Sequence, residues 1–146
     1  IILRIASAYG FDKRFSEQGV INKWIYLAIK NKKLKLYNSV KSLVNFISFE
    51  QISIAILTAI NENISGIFNI GSEKSITLEE IINSIKDISK KDLKLEIIKN
   101  DIRYFNIDTN KFYLKTGQSF KINLYKDIKY LYESIKFDIN KKNNIN

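Results

Sequence analysis

Five of the eight tyrosines carry a lysine four residues on: Tyr9 with Lys13, Tyr26 with Lys30, Tyr37 with Lys41, Tyr125 with Lys129 and Tyr132 with Lys136. On a helix that spacing places both side chains on one face. An ammonium beside a phenol lowers its pKa and makes the tyrosine a candidate general base. The abundance of the pattern counts against it, because all but three of the 24 basic residues are lysine and chance supplies such pairs readily. The exceptions are Arg4, Arg14 and Arg103, the only side chains able to hold a phosphate with a guanidinium fork. Other chemistry is excluded outright. With no His and no Cys there are no disulfides, no imidazole or thiolate metal ligands, no Ser-His or Cys-His nucleophile and no histidine switch. No metal site is expected, and the lack of cysteine fits a cytoplasmic protein.

Composition also bounds the partners. The chain has 146 residues, 45% of them hydrophobic, which suffices for a packed core of one domain or part of a larger one. No apolar run approaches the roughly 18 residues of a membrane helix, so no membrane partner is expected. The formal charge is +9, yet the lysines are spread along the chain and arginine is scarce. Ile, Lys, Asn, Tyr and Phe abound while Pro is absent, the bias of an AT-rich genome. The charge is therefore read as background, with no nucleic-acid partner.

The elements that must position any site follow from periodicity. IILRIASAYG, with Ile1, Ile2, Leu3, Ile5, Ala6 and Ala8 before Gly10, reads as a strand buried on both faces. A polar loop leads to a helix from about Gln18 to Lys30, carrying Ile21, Trp24, Ile25, Ala28 and Ile29 at helical spacing. Strands are expected at Leu34–Tyr37 and Val44–Ser48. A second helix, about Glu50 to Asn61, would bury Ile52, Ala55, Ile56, Ala59 and Ile60. GIFNIGS gives a strand ending at Gly71. In SITLEEIINSIKDISKK, Thr77 and Glu80 form a capping box, with Ile76 and Ile81 as its hydrophobic staple. A strand at Leu93–Ile98, a short helix stopped by Gly117, a helix from Leu124 to Phe137 and a solvated tail complete the chain. The alternation of helices and short strands makes the class α/β or α+β.

Four segments in order, LRIASAYG, LVNFISFEQI, GIFNIGS with ITLEEI, and DIRYFNIDTNK with its following glycine, resemble the extended short-chain dehydrogenase/reductases. These are the NAD-dependent epimerases and dehydratases of nucleotide sugars. The likeness runs from Leu3 to about Ile135. It implies an α/β fold: the C-terminal strands of a doubly wound Rossmann sheet plus a small α+β substrate-binding subdomain. The N-terminal dinucleotide-binding half would be missing. On this reading residues 1–137 are the C-terminal, mainly substrate-binding part and 138–146 the tail. The family's catalytic Tyr-x-x-x-Lys precedes the strand at which this chain starts, so the five pairs here are not that pair and no catalytic residue is expected.

The resemblance also implies a site. Ser7 stands where the family's sugar-nucleotide-binding Asn lies, and a hydroxyl lacks the second arm of an amide. Leu36 and Tyr37 would pass beside the nucleotide base. Phe46 keeps the aromatic of the family's R-D-(aromatic)-I segment, but Val44 replaces its phosphate-binding arginine, a loss of about 1.5–3 kcal/mol of binding. Gln51 stands for a usual Asp. Arg103 matches a second phosphate arginine, with an ion pair to Asp101 or Asp108 as its structural alternative. Ala6 and Ala8 would flank the cofactor, NAD(P) in the parent enzyme. The expected parent is an isomerase or lyase of carbohydrate biosynthesis acting on a nucleotide-diphosphate sugar, compatible with a homodimer. This chain alone would bind no cofactor and turn nothing over. A nucleotide-sugar reductase of the same family, or a small basic binding module, is the alternative.

Overall fold

The apolar opening of the chain divides into two strands, β1 (Ile2–Ile5) and β2 (Ser7–Tyr9), because it changes partner at Ala6. In the computed structural model, which describes residues 1–14 and 19–143, β1 runs parallel to β6 (Ile67–Ile70) and β2 parallel to β5 (Phe46–Ser48). The amide of Ala6 donates to Ile70 O and that of Ser7 to Asn45 O, which is where the switch occurs. Within this chain the strand is covered on part of its surface only, as expected for a strand whose neighbours lie outside the given residues, and not on both faces as its apolar run reads. Ile1, Ile2 and Ile5 are 60%, 57% and 39% exposed. Among the described residues β1 has a strand on one edge only.

A second strand divides in the same way. The stretch expected at Val44–Ser48 forms β4 (Leu43–Val44) and β5, broken at Asn45. β4 pairs antiparallel with β7 (Ile76–Thr77) and parallel with β9 (Tyr104–Phe105). β7 and β9 are two residues each and too short to leave a period in the sequence. β3 (Leu34–Leu36) pairs parallel with β8 (Leu95–Ile97). Parallel pairing needs crossovers, and the helices supply them.

α1 (Val20–Ile29) begins two residues later than expected, and the expected start at Gln18 lies outside the described residues. α2 (Phe49–Asn61) and α3 (Leu78–Ser89) each start at a capping box, Ser48 with Gln51 and Thr77 with Glu80. Ile76 and Ile81, the expected staple, are both buried in one apolar cluster. α4 (Asn110–Thr116) ends at Gly117, whose φ of 69° is the left-handed geometry expected there. α5 (Leu124–Asn143) runs past the expected stop at Phe137, because Ile139 extends the buried stripe of Ile128, Leu131, Tyr132 and Ile135 by another turn. The expected tail therefore begins with helix, and residues 144–146 lie outside the described residues.

Phe46 and Ile47 are consecutive on β5 and point to opposite faces, so each enters a different core. Phe46 joins α1, α3 and α5 around Trp24, Ile25, Ile81 and Ile128. Ile47 joins Ala55 and Ala59 of α2, Phe68 and Ile70 of β6, and Phe112 of α4. Of the face expected on α2, Ala55 and Ala59 are buried and Ile52 is half-buried. Ile56 and Ile60 are 43% and 66% exposed.

Candidate functional site

Residues 33–37 alternate exposed and buried: Leu34 and Leu36 face the core, while Lys33, Lys35 and Tyr37 face out. The amphipathic turn of α1 beside them presents Gly19, Val20, Lys23 and Leu27. Trp24 Nε1 donates to Lys35 O at 3.4 Å and ties helix to strand. Between the two elements lies a cavity of about 540 Å³ lined by Gly19, Val20, Lys23, Trp24, Leu27, Lys33, Lys35 and Tyr37. Its walls are aromatic and apolar, and among the described residues its charges are three ammonium groups with no carboxylate.

Of the residues expected at a site, Tyr37 lines this cavity and is 57% exposed. Leu36, its expected companion, is 1% exposed with its side chain in the core, and its carbonyl already accepts from the amides of Ile98 and Lys99. Phe46 is 2% exposed and packs edge-on against Tyr9. Neither side chain faces a ligand surface. Period-two alternation places Lys35 on the exposed side instead, a signal present in the sequence from the start.

A row of backbone hydrogen bonds links the strand of Ser7 to the segment that follows Arg103. Ser7 lies opposite Phe46 in register and donates its amide to Asn45 O, while the Asn45 amide donates to Phe105 O. Arg103 O accepts from the Leu43 amide, so Arg103 stands one strand away from Val44. Its side chain is 60% exposed and meets Asp101 at 3.9 Å, an ion pair too long and too exposed to hold it. Asp101 O in turn accepts from the Ser39 amide, linking this strand pair to the end of β3 where Tyr37 sits. Asn45 and Gln51 are framework. Asn45 Oδ1 accepts from the Ser72 amide at 3.0 Å and its Nδ2 donates to Ser72 O at 2.9 Å. Gln51 closes the α2 cap and donates to Lys121 O at 2.8 Å. The Ser-x-x-Gln pattern of that cap was legible in the sequence.

Two of the five Tyr-Lys pairs are closed to base chemistry. Tyr9 donates to Asp127 Oδ2 at 2.6 Å. Burial, then that hydrogen bond and the carboxylate's charge, push its pKa well above the usual tyrosine range. Burial likewise raises Tyr132. A general base needs the opposite shift. An unfolded chain loses the Tyr9 proton near pH 10 while the folded chain keeps it. Above that pH the unfolded state binds fewer protons, so stability is full below pH 10 and falls as pH rises, by up to about 1.4 kcal/mol per unit. In urea unfolding between pH 9.5 and 11.5, Tyr9→Phe is expected to show a slope shallower than wild type by about that amount.

Among the described residues no three His, Cys, Asp or Glu side chains could hold a metal, and no helix is long and apolar enough to cross a membrane. Ala6 and Ala8 offer methyl groups and a backbone engaged in β1–β2, with the Ala6 amide already donated to Ile70 O. A dinucleotide pyrophosphate needs free N–H groups of a glycine turn or helix N-terminus, and these two residues do not supply them. Alone they do not fit a dinucleotide.

No protein-family model matches the sequence, and no curated protein matches it. Solved structures do. UDP-glucuronic acid 4-epimerase from Bacillus cereus, in complex with UDP-glucuronic acid and NAD, superposes with a TM-score of 0.81 over 94% of this chain at 20% identity. UDP-glucose 4-epimerase from Thermotoga maritima gives 0.77 over 94% at 22%. dTDP-glucose 4,6-dehydratase from Bacillus anthracis gives 0.79 over 96% at 18%. The chain spans 45%, 46% and 44% of those proteins. The chain shares the fold of part of these epimerases and this dehydratase, the fold that the four segments led one to expect.

Proposed function

We propose that this chain is the substrate-binding part of an NAD-dependent nucleotide-sugar epimerase or dehydratase and that its cavity between α1 and β3 receives the nucleotide. The observation that carries the reading is the superposition over nine-tenths of the chain together with a preformed cavity at Tyr37, the residue that the resemblance puts beside the base. Tyr37 would stack on the base, and Ser7 and Arg103, which lie outside the cavity lining, would meet the sugar end of the ligand. The cofactor supplies hydride transfer in the whole enzyme, and this chain's part is to bind and orient the substrate. Catalytic groups and the dinucleotide turn belong to a partner domain that this reading requires, with a cytoplasmic setting.

The test uses Trp24, the single tryptophan, as its reporter, since it lines the cavity. Uridine, thymidine, UDP and dTDP are titrated against the 146-residue chain and followed by tryptophan fluorescence and calorimetry. Saturable binding is expected, weakened roughly 5- to 100-fold by Tyr37→Ala through loss of base stacking. Failure of every nucleoside and nucleotide to bind would remove the reading.

A further inference from the structure

We infer that Lys23, Lys33 and Lys35 form the phosphate-recognition element of this cavity and supply the charge that Val44 does not. The inference rests on the nucleotide reading above and goes further by assigning the anion to side chains outside the four segments that carry the resemblance. Three observations converge. All three ammonium groups line one cavity, and among the described residues that line it there is no carboxylate. No ion pair neutralises any of them among the described residues, whereas Lys86, Lys121 and Lys142 each meet a carboxylate. Gly19 and Val20, the N-terminal turn of α1, open on the same space, and that turn carries no acidic residue and no side-chain cap. The positive end of the helix dipole therefore adds to the lysines.

Strand geometry makes the arrangement directional. Lys33, Lys35 and Tyr37 are successive outward positions, so their Cα atoms step along the cavity at about 6.6 Å intervals. The Trp24–Lys35 hydrogen bond holds the strand against α1. An aromatic platform at one end and two unneutralised cations along the same line fit a phosphorylated aromatic better than a neutral one. Val44, by contrast, is buried at 9% exposure in the core, so no ligand contact passes through it. Arg103 lies on the neighbouring strand pair and outside the cavity lining.

The probes are uridine, UDP and inorganic pyrophosphate, titrated by calorimetry at low and at physiological salt. The proteins are the wild-type chain, Lys33→Gln/Lys35→Gln, Lys33→Arg/Lys35→Arg and Arg103→Ala, each checked for unchanged circular dichroism. We expect UDP to bind more tightly than uridine, with the advantage shrinking as salt rises. The glutamine pair should lose roughly tenfold in UDP affinity, from two exposed ion-pair contacts, with uridine unaffected, and the arginine pair should retain it. Pyrophosphate should compete with UDP. If uridine and UDP bind equally, the phosphate assignment fails while the nucleotide reading stands. If neither binds, both fail. If UDP keeps its advantage in the glutamine pair and loses it in Arg103→Ala, the phosphate belongs to Arg103 and the inference is overturned.

Discussion

Trp24→Ala is expected to destabilise the chain by about 3–5 kcal/mol, the range for truncating a buried aromatic. Trp24 is 3% exposed and sits in the cluster that joins α1, α3 and α5. Its ring is also cavity wall, and its indole N–H is the side-chain link to Lys35 O. A domain of this size has about 5–15 kcal/mol in total, so about a fifth or more of it is at stake. Because the reporter tryptophan is lost, far-UV circular dichroism in urea is the measurement. Trp24→Phe serves as the comparison: it keeps an apolar ring, gives up one hydrogen bond and should cost less than half as much. If the two variants lose equally, the ring's packing is not what holds α1 in place.

Gly71→Ala is the second large effect, expected at about 1–3 kcal/mol or more through overpacking. A Cβ at Gly71 would meet Asn45 Oδ1, and it would stand 2.9 Å from Ile107 Cγ2 and 3.1 Å from Ala6 Cβ. Asn45 cannot withdraw without losing its paired hydrogen bonds to Ser72. Ala6 is the point where the first strand changes partner. The substitution therefore presses on the junction of β1, β5 and β6 at once. Thermal unfolding of Gly71→Ala should show the loss, while Gly117→Ala, with nothing within 4 Å of its Cβ, should show only the smaller cost of a left-handed φ without glycine. A Gly71 variant as stable as wild type would mean that Asn45 is not held as described.

The sequence led to most of the elements and missed their division. Helical spacing located α1, α3 and α5, since Trp24, Ile81 and Ile128 are buried where the period places them. The Thr77–Glu80 box located a helix start to the residue. Partner exchange at Ala6 and Asn45 leaves no trace in an apolar run, because hydrophobicity records burial and not which strand supplies the hydrogen bonds. β7 and β9 are held only by pairing with β4 and carry no period of their own. The face expected on α2 failed in the opposite sense. Ile56 and Ile60 are apolar at helical spacing, yet both stay largely exposed among the described residues.

The site was legible to a lesser degree. Resemblance pointed to Tyr37, which lines the cavity, and to Leu36, which alternation alone would have placed in the core. The lysines of the cavity were hidden by their own abundance. In a chain this rich in lysine, composition cannot single out Lys23, Lys33 and Lys35. Only the fold distinguishes three cations sharing one concave surface from the many spread over a convex one.

The half-paired first strand has a consequence for how the molecule behaves in company. β1 offers amides and carbonyls along one side without a described partner, beside exposed Ile2 and Ile5, with Arg4 as its single charge. Natural sheets protect such borders with lysines, prolines or bulges, and the lysines of this chain are elsewhere. An unguarded border of this kind is a template on which another extended peptide can crystallise its own backbone. In the isolated 146-residue chain that border is open to a second extended backbone along Ile2–Ile5, and Ile2→Lys at this exposed position would act as a gatekeeper against such pairing.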